Sequence, residues 1–529
     1  MNPHTSMREA QRSWRPERTG LSGFFMLLLL GTAIAHAETV PLDCWVYDAL
    51  RSFELRGLVR LEPTLPYTFD QVEAYTNEIM TNAAEEHVTL GRRHAYLLER
   101  LTKQFVGMRD RPQDRWDKPV YVLEDGERYG AFDLQIGGSA RKKADEKKGE
   151  ADGLVVPDVL IALGHHVTME TNYRLVMAPE RGNNARNEKP DARLRSYRGL
   201  TAEYERGLLD LGGLWWEVRV GREYLQWGNE RAEGLLLSRT AGSLDHAGAR
   251  FELGTFAFST FQAILDAGSR RHLAGHRLTV ALPRGIFVGI GETVVYARNL
   301  DFLYLIPLSA YYAQQFSEGP NNDNIAWIVD WKLPLRRGLI FQGALLIDDV
   351  QYERDEQAGP DRLGLNLSAE ALCFVGGREL ELSGAYTYID IYTYAHGFNT
   401  MYVAGNGDRR MNHILGSPLG PDADRWAFKA VLGVSARAAV TAEGAYTRRG
   451  AGNAVVGDHL LDWVPGMDND PSFPSGDVVH EKTVSASCRL DVRNGSYLTA
   501  GGGMRFRSGG PDNLDAKDGF GWLEVVLDL

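Results

Sequence analysis

The sequence predicts an all-β transmembrane barrel of about 18 antiparallel strands, preceded by a small helical domain. Three observations predict it: a leader-like N-terminus, period-two alternation from Tyr129 to the end, and connections that alternate between short and long. Beyond the leader no apolar run is long enough for a membrane helix, so a closed barrel of strands is the remaining route into a bilayer.

The leader is residues 1–37. Arg8, Arg12, Arg15 and Arg18 form a basic stretch, Phe24 to Ala35 an apolar core too short to span a bilayer, and Ala35-His36-Ala37 a small-x-small cleavage pattern. This reads as a signal peptide, with an uncleaved anchor as the alternative. The chain's 529 residues exceed one ordinary domain, and its net charge of −12 argues against nucleic acid as a partner. Cys44, Cys373 and Cys488 lie far apart without metal spacing. They read as small apolar side chains, with a Cys44–Cys488 or Cys44–Cys373 bridge left open.

Residues 38–120 read as a periplasmic helical domain. Val46, Leu50 and Phe53 recur at helical spacing within Asp43 to Leu55. Thr68 followed by Asp70 and Gln71 is a helix start, running on through Tyr75 and Ile79. Tyr96, Leu97, Leu101 and Phe105 form one stripe within Arg92 to Phe105, giving three helices.

Residues 121–529 read as the barrel. Leu365, Leu367, Ala369, Ala371 and Cys373 alternate with Asn366, Ser368 and Glu370, and Trp426, Phe428, Ala430 and Leu432 alternate with Lys429 and Gly433. In a membrane barrel the apolar face meets lipid and the polar face lines the lumen. Eighteen segments fit, among them 129–140, 193–206, 214–225, 286–297, 425–436 and 519–529. Connections after even-numbered strands are mostly tight, as at Arg284-Gly285, Gly376-Gly377 and Asn494-Gly495. Those after odd-numbered strands are mostly long, as at Arg298 to Asn324, Tyr392 to Asp424 and Gly450 to Val478. That is the pattern of periplasmic turns and outer loops, and it implies outer-membrane lipid and the barrel-assembly machinery as partners. Leu523, Val525, Leu527 and Leu529 close the chain on an apolar alternation, although such barrels usually end on Phe.

Short motifs then carry a resemblance. They are Gly57-Leu58-Val59, Pro66-Tyr67-Thr68 and Leu97-Leu98-Glu99-Arg100-Leu101 in the helical region. In the barrel they are Gly221-Arg222, Trp227-Gly228, Leu235-Leu236-Leu237-Ser238, Gly291-Glu292 with Tyr296, Leu305-Ile306-Pro307 with Tyr311, Asn322-Asp323-Asn324, and Asp348-Asp349. In order and spacing the chain resembles the capsule-assembly Wzi family of Gram-negative outer-membrane proteins. The resemblance implies an eighteen-stranded barrel with a periplasmic helical bundle and a lectin-like, non-enzymatic role in holding capsular or exopolysaccharide.

The candidate polysaccharide-binding residues are Trp227, Asn229, Arg231, Asp348, Asp349, Tyr402, Arg409 and Arg410. Trp227 opens a presumed outer loop: its flat face suits a pyranose ring, and Asn229 and Arg231 suit hydroxyls or a uronate. The competing reading packs Trp227 at the membrane rim or inside an inward loop. Asp348 and Asp349 at a strand end offer a carboxylate pair, for which rim charge or a lumen ion pair with Arg298 is the plainer reading. The loop 397–424 carries Phe398, Tyr402, Arg409, Arg410, Asn412 and His413, and either plugs the lumen or presents a glycan surface. Lys142-Lys143 and Lys147-Lys148 read as a solvated loop, with a grip on acidic polysaccharide as the alternative. His272 and His276 share no convergent geometry on a strand, and no nucleophile–base set or phosphate loop is present, so no metal, cofactor or catalytic residue is expected. Three functions follow in order: a polysaccharide-holding barrel, an outer-membrane porin or sugar-conducting channel, and, last, a barrel hydrolase. A lumen obstructed by the helices or by an inward loop favours the first, and an open one the second.

Overall fold

A computed structural model describes residues 38–529 except 43, 110, 145–148, 165, 178–199, 214, 230–233, 307, 318–322, 350–358, 398, 405–413, 454, 457–458, 493–494 and 512. The expected leader, residues 1–37, lies outside the described residues.

The barrel closes with eighteen strands, all paired antiparallel. They are β1 (Arg128–Lys143), β2 (Glu150–Leu163), β3 (Val167–Met177), β4 (Leu200–Gly213), β5 (Trp216–Glu223) and β6 (Leu244–Leu253). Next come β7 (Phe256–Asp266), β8 (Arg271–Leu282), β9 (Ile286–Ala297), β10 (Asn324–Arg336), β11 (Leu339–Asp349) and β12 (Arg362–Val375). The last six are β13 (Arg378–Ile389), β14 (Ala423–Gly433), β15 (Ala438–Arg449), β16 (Val479–Asp491), β17 (Tyr497–Gly509) and β18 (Leu514–Asp528). β18 pairs with β1, Leu527 opposite Ile136, and this leaves no long free edge. A short strand, Tyr121–Asp125, adds to the start of β1.

Side-chain exposure separates the two faces. Ile290, Phe428, Trp426, Val484 and Leu523 are 45–59 % exposed and point outward, where lipid covers them. Asn366, Ser368 and Glu370, the polar partners of the alternation on β12, are buried inward. The fourth strand departs from expectation, at Leu200–Gly213 rather than 193–206. Its second half contains Leu208, apolar, inward and 4 % exposed, beside the outward Leu209, so the alternation that marks a strand is broken there.

The three expected helices are α1 (Trp45–Leu55), α2 (Phe69–Glu85) and α3 (Arg92–Phe105). α2 starts on a capping box, in which the Thr68 hydroxyl accepts from the Gln71 N–H and the Gln71 side chain accepts from the Thr68 N–H. The helices share one apolar core around Leu50, Phe53, Val72, Ile79 and Leu101. They sit at the tight-turn rim of the barrel. The Gly338 N–H, in the β10–β11 turn, donates to Leu55 O at 2.7 Å. Lys332 meets Glu54 at 2.7 Å, Arg51 pairs with Glu370 and Arg250 with Glu62. Cys44, Cys373 and Cys488 form no disulfide.

One stretch wraps the outside of the barrel. Glu292 projects outward from β9 and accepts the N–H groups of Tyr311 (2.9 Å) and Tyr312 (3.1 Å) and the indole N–H of Trp327 (2.9 Å). Tyr296, Tyr304 and Tyr311 pack over it together with the short helix α4 (Tyr311–Ser317). A carboxylate on the lipid face is thereby covered, and the covering segment turns Phe302 and Leu308 outward instead. Arg298 belongs to this cluster, binding Asp323 at 2.6 Å and Asp301 at 2.7 Å, rather than to Asp348.

Candidate functional site

Two connections fold into the lumen: one from Trp227 to Ser243 that was expected as an outer loop, and one including 397–424, for which a plug was one of the two expected outcomes. The first is described at residues 224–229 and 234–243. β5 ends after only eight residues, and Gly221 passes so close to β4 that a Cβ there would lie 2.0 Å from Gly207 O. Gly228 then adopts φ +90°, a conformation that any side chain would strain. The chain turns inward and meets the helical domain. Gln226 and Trp227 pair with Leu65 and Thr64, and the Gly228 N–H reaches Pro63 O at 3.1 Å. Leu235, Leu236 and Leu237 follow, at most 1 % exposed. Three leucines in a watery loop would be costly. Burying each contributes roughly 1.5–3 kcal/mol, which is the force that draws this connection inward.

The second inward segment is described at 390–397, 399–404 and 414–422. Arg271, fully buried on β8, donates to the carbonyls of Asn399 (2.9 Å), Met401 (2.8 Å) and Val403 (2.8 Å). The Tyr394 hydroxyl donates to Leu235 O at 2.7 Å and that of Tyr402 to Leu236 O at 2.9 Å, tying the two segments together. Around them apolar inward residues of β7–β11, Ala263, Leu273, Val295, Ala326, Ile328, Ala344 and Leu346, join one core with Trp227 and the leucines. The expectation of a polar lumen face is corrected only where the wall meets the plug, while Arg277, Asp330, Lys332 and Gln342 nearer the tight-turn rim keep it. At the plug the inward side chains face protein instead of water.

The candidate residues fall into three groups. Trp227, Asn229, Asp348 and Tyr402 hold this plug. Trp227 is 3 % exposed, edge-on to Phe261 at 5.3 Å, so neither ring face is free for a sugar. Asn229 is clamped to β12, its amide donating to Asn366 Oδ1 at 2.7 Å and Ser368 Oγ at 2.9 Å. Asp348 accepts the Tyr394 N–H at 2.8 Å. Tyr402 shares its hydroxyl with Thr293 at 2.7 Å. Asp349 is half-buried opposite Arg362 in the β11–β12 register. Arg231, Arg409 and Arg410 lie outside the described residues. The structure therefore brings Trp227, Asn229, Asp348 and Tyr402 together as packing groups, through loop contacts that residue spacing does not encode.

Beside the plug is a cavity of about 710 Å³. Its wall is the inward face of β13–β17 and its floor is the helical domain, with Leu42, Tyr47, Asp48 and Arg51. Burial pushes the Tyr47 hydroxyl above the ordinary phenol range, so it stays protonated and donates to Val40 O at 2.6 Å. Six basic side chains line the cavity (Arg51, Arg239, Arg425, Lys429, Arg449 and Arg505) against three acidic ones, Asp48, Glu443 and Glu481. In a chain of net charge −12 that balance is the reverse of the average and favours an anionic occupant. None of these basic residues stood out in the sequence. Arg51 comes from α1, Arg239 from the inward loop, Arg425 and Lys429 from β14, Arg449 from β15 and Arg505 from β17, and only closure of the barrel on the helical domain gathers them.

Neither a protein-family model nor a curated protein matches the chain. Among solved structures it is similar to Wzi of Escherichia coli, an outer-membrane carbohydrate-binding β-barrel involved in group 1 capsule assembly. That match has 11 % identity and a TM-score of 0.58, covering 93 % of this chain and 99 % of the other. Pseudomonas aeruginosa OprD matches at 10 % identity and a TM-score of 0.43, over 78 % of this chain and 97 % of the other. Pseudomonas aeruginosa OccK5 (OpdH) matches at 10 % and 0.43, over 76 % and 98 %. The likeness to Wzi spans helices and barrel together, and it shows the fold of an outer-membrane β-barrel.

Proposed function

We propose that this chain binds capsular or related exopolysaccharide at the cell surface and holds it there, without catalysis. The observation that carries the reading is the filled half of the lumen. From the tight-turn rim upward, Arg51 meets Glu370, Asn229 meets Asn366 and Ser368, and Tyr394 meets Asp348, each tie joining an inserted segment to the inner wall. Two long connections packed into half of the bore obstruct it, which favours holding over conduction. The remaining cavity, rich in guanidinium groups, suits a polymer bearing carboxylates, which Arg takes in two-pronged hydrogen bonds. Asp349, Arg231, Arg409 and Arg410 are the candidates for further contacts on the outer side. Trp227, Asn229, Asp348 and Tyr402 act by shaping the plug. Several weak contacts along one repeating polymer give strong attachment.

The conducting alternative is tested in planar bilayers with the purified full chain. Small or absent steady conductance is expected, and large steady channels would overturn the holding role. A strain lacking the protein is expected to shed surface polysaccharide into the medium.

A further inference from the structure

Across the lumen from the plug, the wall of β16–β18 and β1 carries an aromatic surface. Phe520 and Trp522 occupy inward positions on β18. Leu523 and Leu527, of opposite parity, point outward at 45 % and 47 % exposure, whereas Val526, of the same parity, is 3 % exposed. The two rings lie with centroids 5.9 Å apart and planes 23° from parallel. They lie flat against the wall because β17 presents Gly501 and Gly503 beneath them. A Cβ at Gly501 would come within 2.4 Å of the Trp522 ring, and one at Gly503 within 2.8 Å of the Phe520 ring. Unlike Trp227, both residues are only half-buried.

Cations flank the pair. Arg141 stands directly across the ladder from Trp522 and is exposed, and Lys143 stands across from Phe520. Arg505, two residues from Gly503 on the same face, lines the 710 Å³ cavity. Among the described residues Arg505 makes no ion pair. Arg507, by contrast, is neutralised by Asp518 at 2.8 Å. A purely structural role would explain rings covering a glycine strip. It would not explain a guanidinium left unneutralised beside two flat apolar faces on a wet wall.

We infer that Phe520, Trp522, Arg505 and Arg141 form a luminal subsite for an acidic saccharide. The rings cover the apolar face of a pyranose, and the two guanidinium groups take its carboxylate. The inference rests on the carbohydrate-holding reading and adds to it a place and a ligand class.

The test is calorimetric titration of the purified full chain in detergent with tetragalacturonate, and with maltotetraose as its neutral counterpart. Tetragalacturonate is expected to bind the more tightly. Phe520→Ala with Trp522→Ala weakens it by about tenfold or more, and Trp522→Phe retains most of the affinity. Arg505→Gln weakens tetragalacturonate by about tenfold and leaves maltotetraose unchanged. Heat-modifiable migration in gels confirms that each variant is a folded barrel. Wild-type affinity for tetragalacturonate in the double variant or in Arg505→Gln overturns the subsite, as does a wild-type protein that ignores tetragalacturonate. If the variant strains still retain their surface polysaccharide, the subsite alone has failed. If the wild-type chain also conducts steadily and its loss sheds no polysaccharide, the holding role fails with it.

Discussion

The two halves of this barrel wear the same outside and different insides. On the plugged side, Ile264, Leu278 and Ile290 point outward. On the cavity side, Trp426, Phe428 and Val484 do the same, all 38–59 % exposed. Inward, the plugged half presents Ala326, Ile328, Ala344 and Leu346, and the cavity half presents Ser485, Gly503, Glu481 and Arg505. Lipid sets the outward face everywhere. The inward face is set by what stands opposite, which is protein in one half and water in the other. Period-two alternation reports only the first of these.

The largest effect should come from abolishing the difference. Replacing residues 225–242 and 391–421 with short glycine-serine links removes the plug and leaves the wall intact. An eighteen-stranded bore without its filling is wide enough for water and ions. Steady conductance in planar bilayers is expected to rise by about tenfold or more over the intact chain. No rise would mean that the helical domain alone closes the bore.

A smaller break is a single charge in the plug. Leu236 is fully buried between the two inward segments. Leu236→Asp places an unpaired carboxylate there, at a cost of about 3 kcal/mol or more. Limited proteolysis is expected to nick 224–243 and 390–422 while the strands stay protected. Unchanged cleavage would show that the plug does not depend on its dry core.

The outward face offers the control. Ile290→Arg in the plugged half and Phe428→Arg in the cavity half both put a guanidinium at mid-strand against lipid, each costing roughly 2–4 kcal/mol. Urea titrations of barrels folded into vesicles should give the same loss for both, because acyl chains do not sense what lies inside. A difference well above 1 kcal/mol would mean that inside and outside are energetically linked.

These contrasts also explain what was readable in advance. All eighteen strands and the three helices were legible, since lipid and the helical core each impose one period on the chain. The slip at β4 occurred where Leu208 faces inward and Leu209 outward, so the sequence looks uniformly apolar just where the two faces matter. The fold of 224–243 had a signal, the run Leu235-Leu236-Leu237 in a supposed outer loop. Its meaning depends on an apolar patch built from β7–β11, which no local reading assembles. Trp227 was singled out for its neighbours Asn229 and Arg231. Yet it is buried, while the less conspicuous Trp522 stands on the open wall. Residue type suggested sugar binding, and only strand parity and closure decide which tryptophan can reach a ligand.

The finest test compares one methylene-rich substitution on both inner walls. Ala344 on β11 is 1 % exposed and sits opposite Asn366, the residue that clamps Asn229. Ala344→Leu overfills that space and should cost about 1–3 kcal/mol, because the plug is packed as densely as a protein interior and cannot shift without breaking the amide clamp. Ser485 on β16 sits opposite Gly503 and lines the cavity. Ser485→Leu meets solvent and should stay within about 0.5 kcal/mol. Melting of the two variants in the same detergent reads the contrast directly. Equal losses would mean that the cavity wall is as tightly packed as the plug, and a lumen packed on every side would have no room for a saccharide.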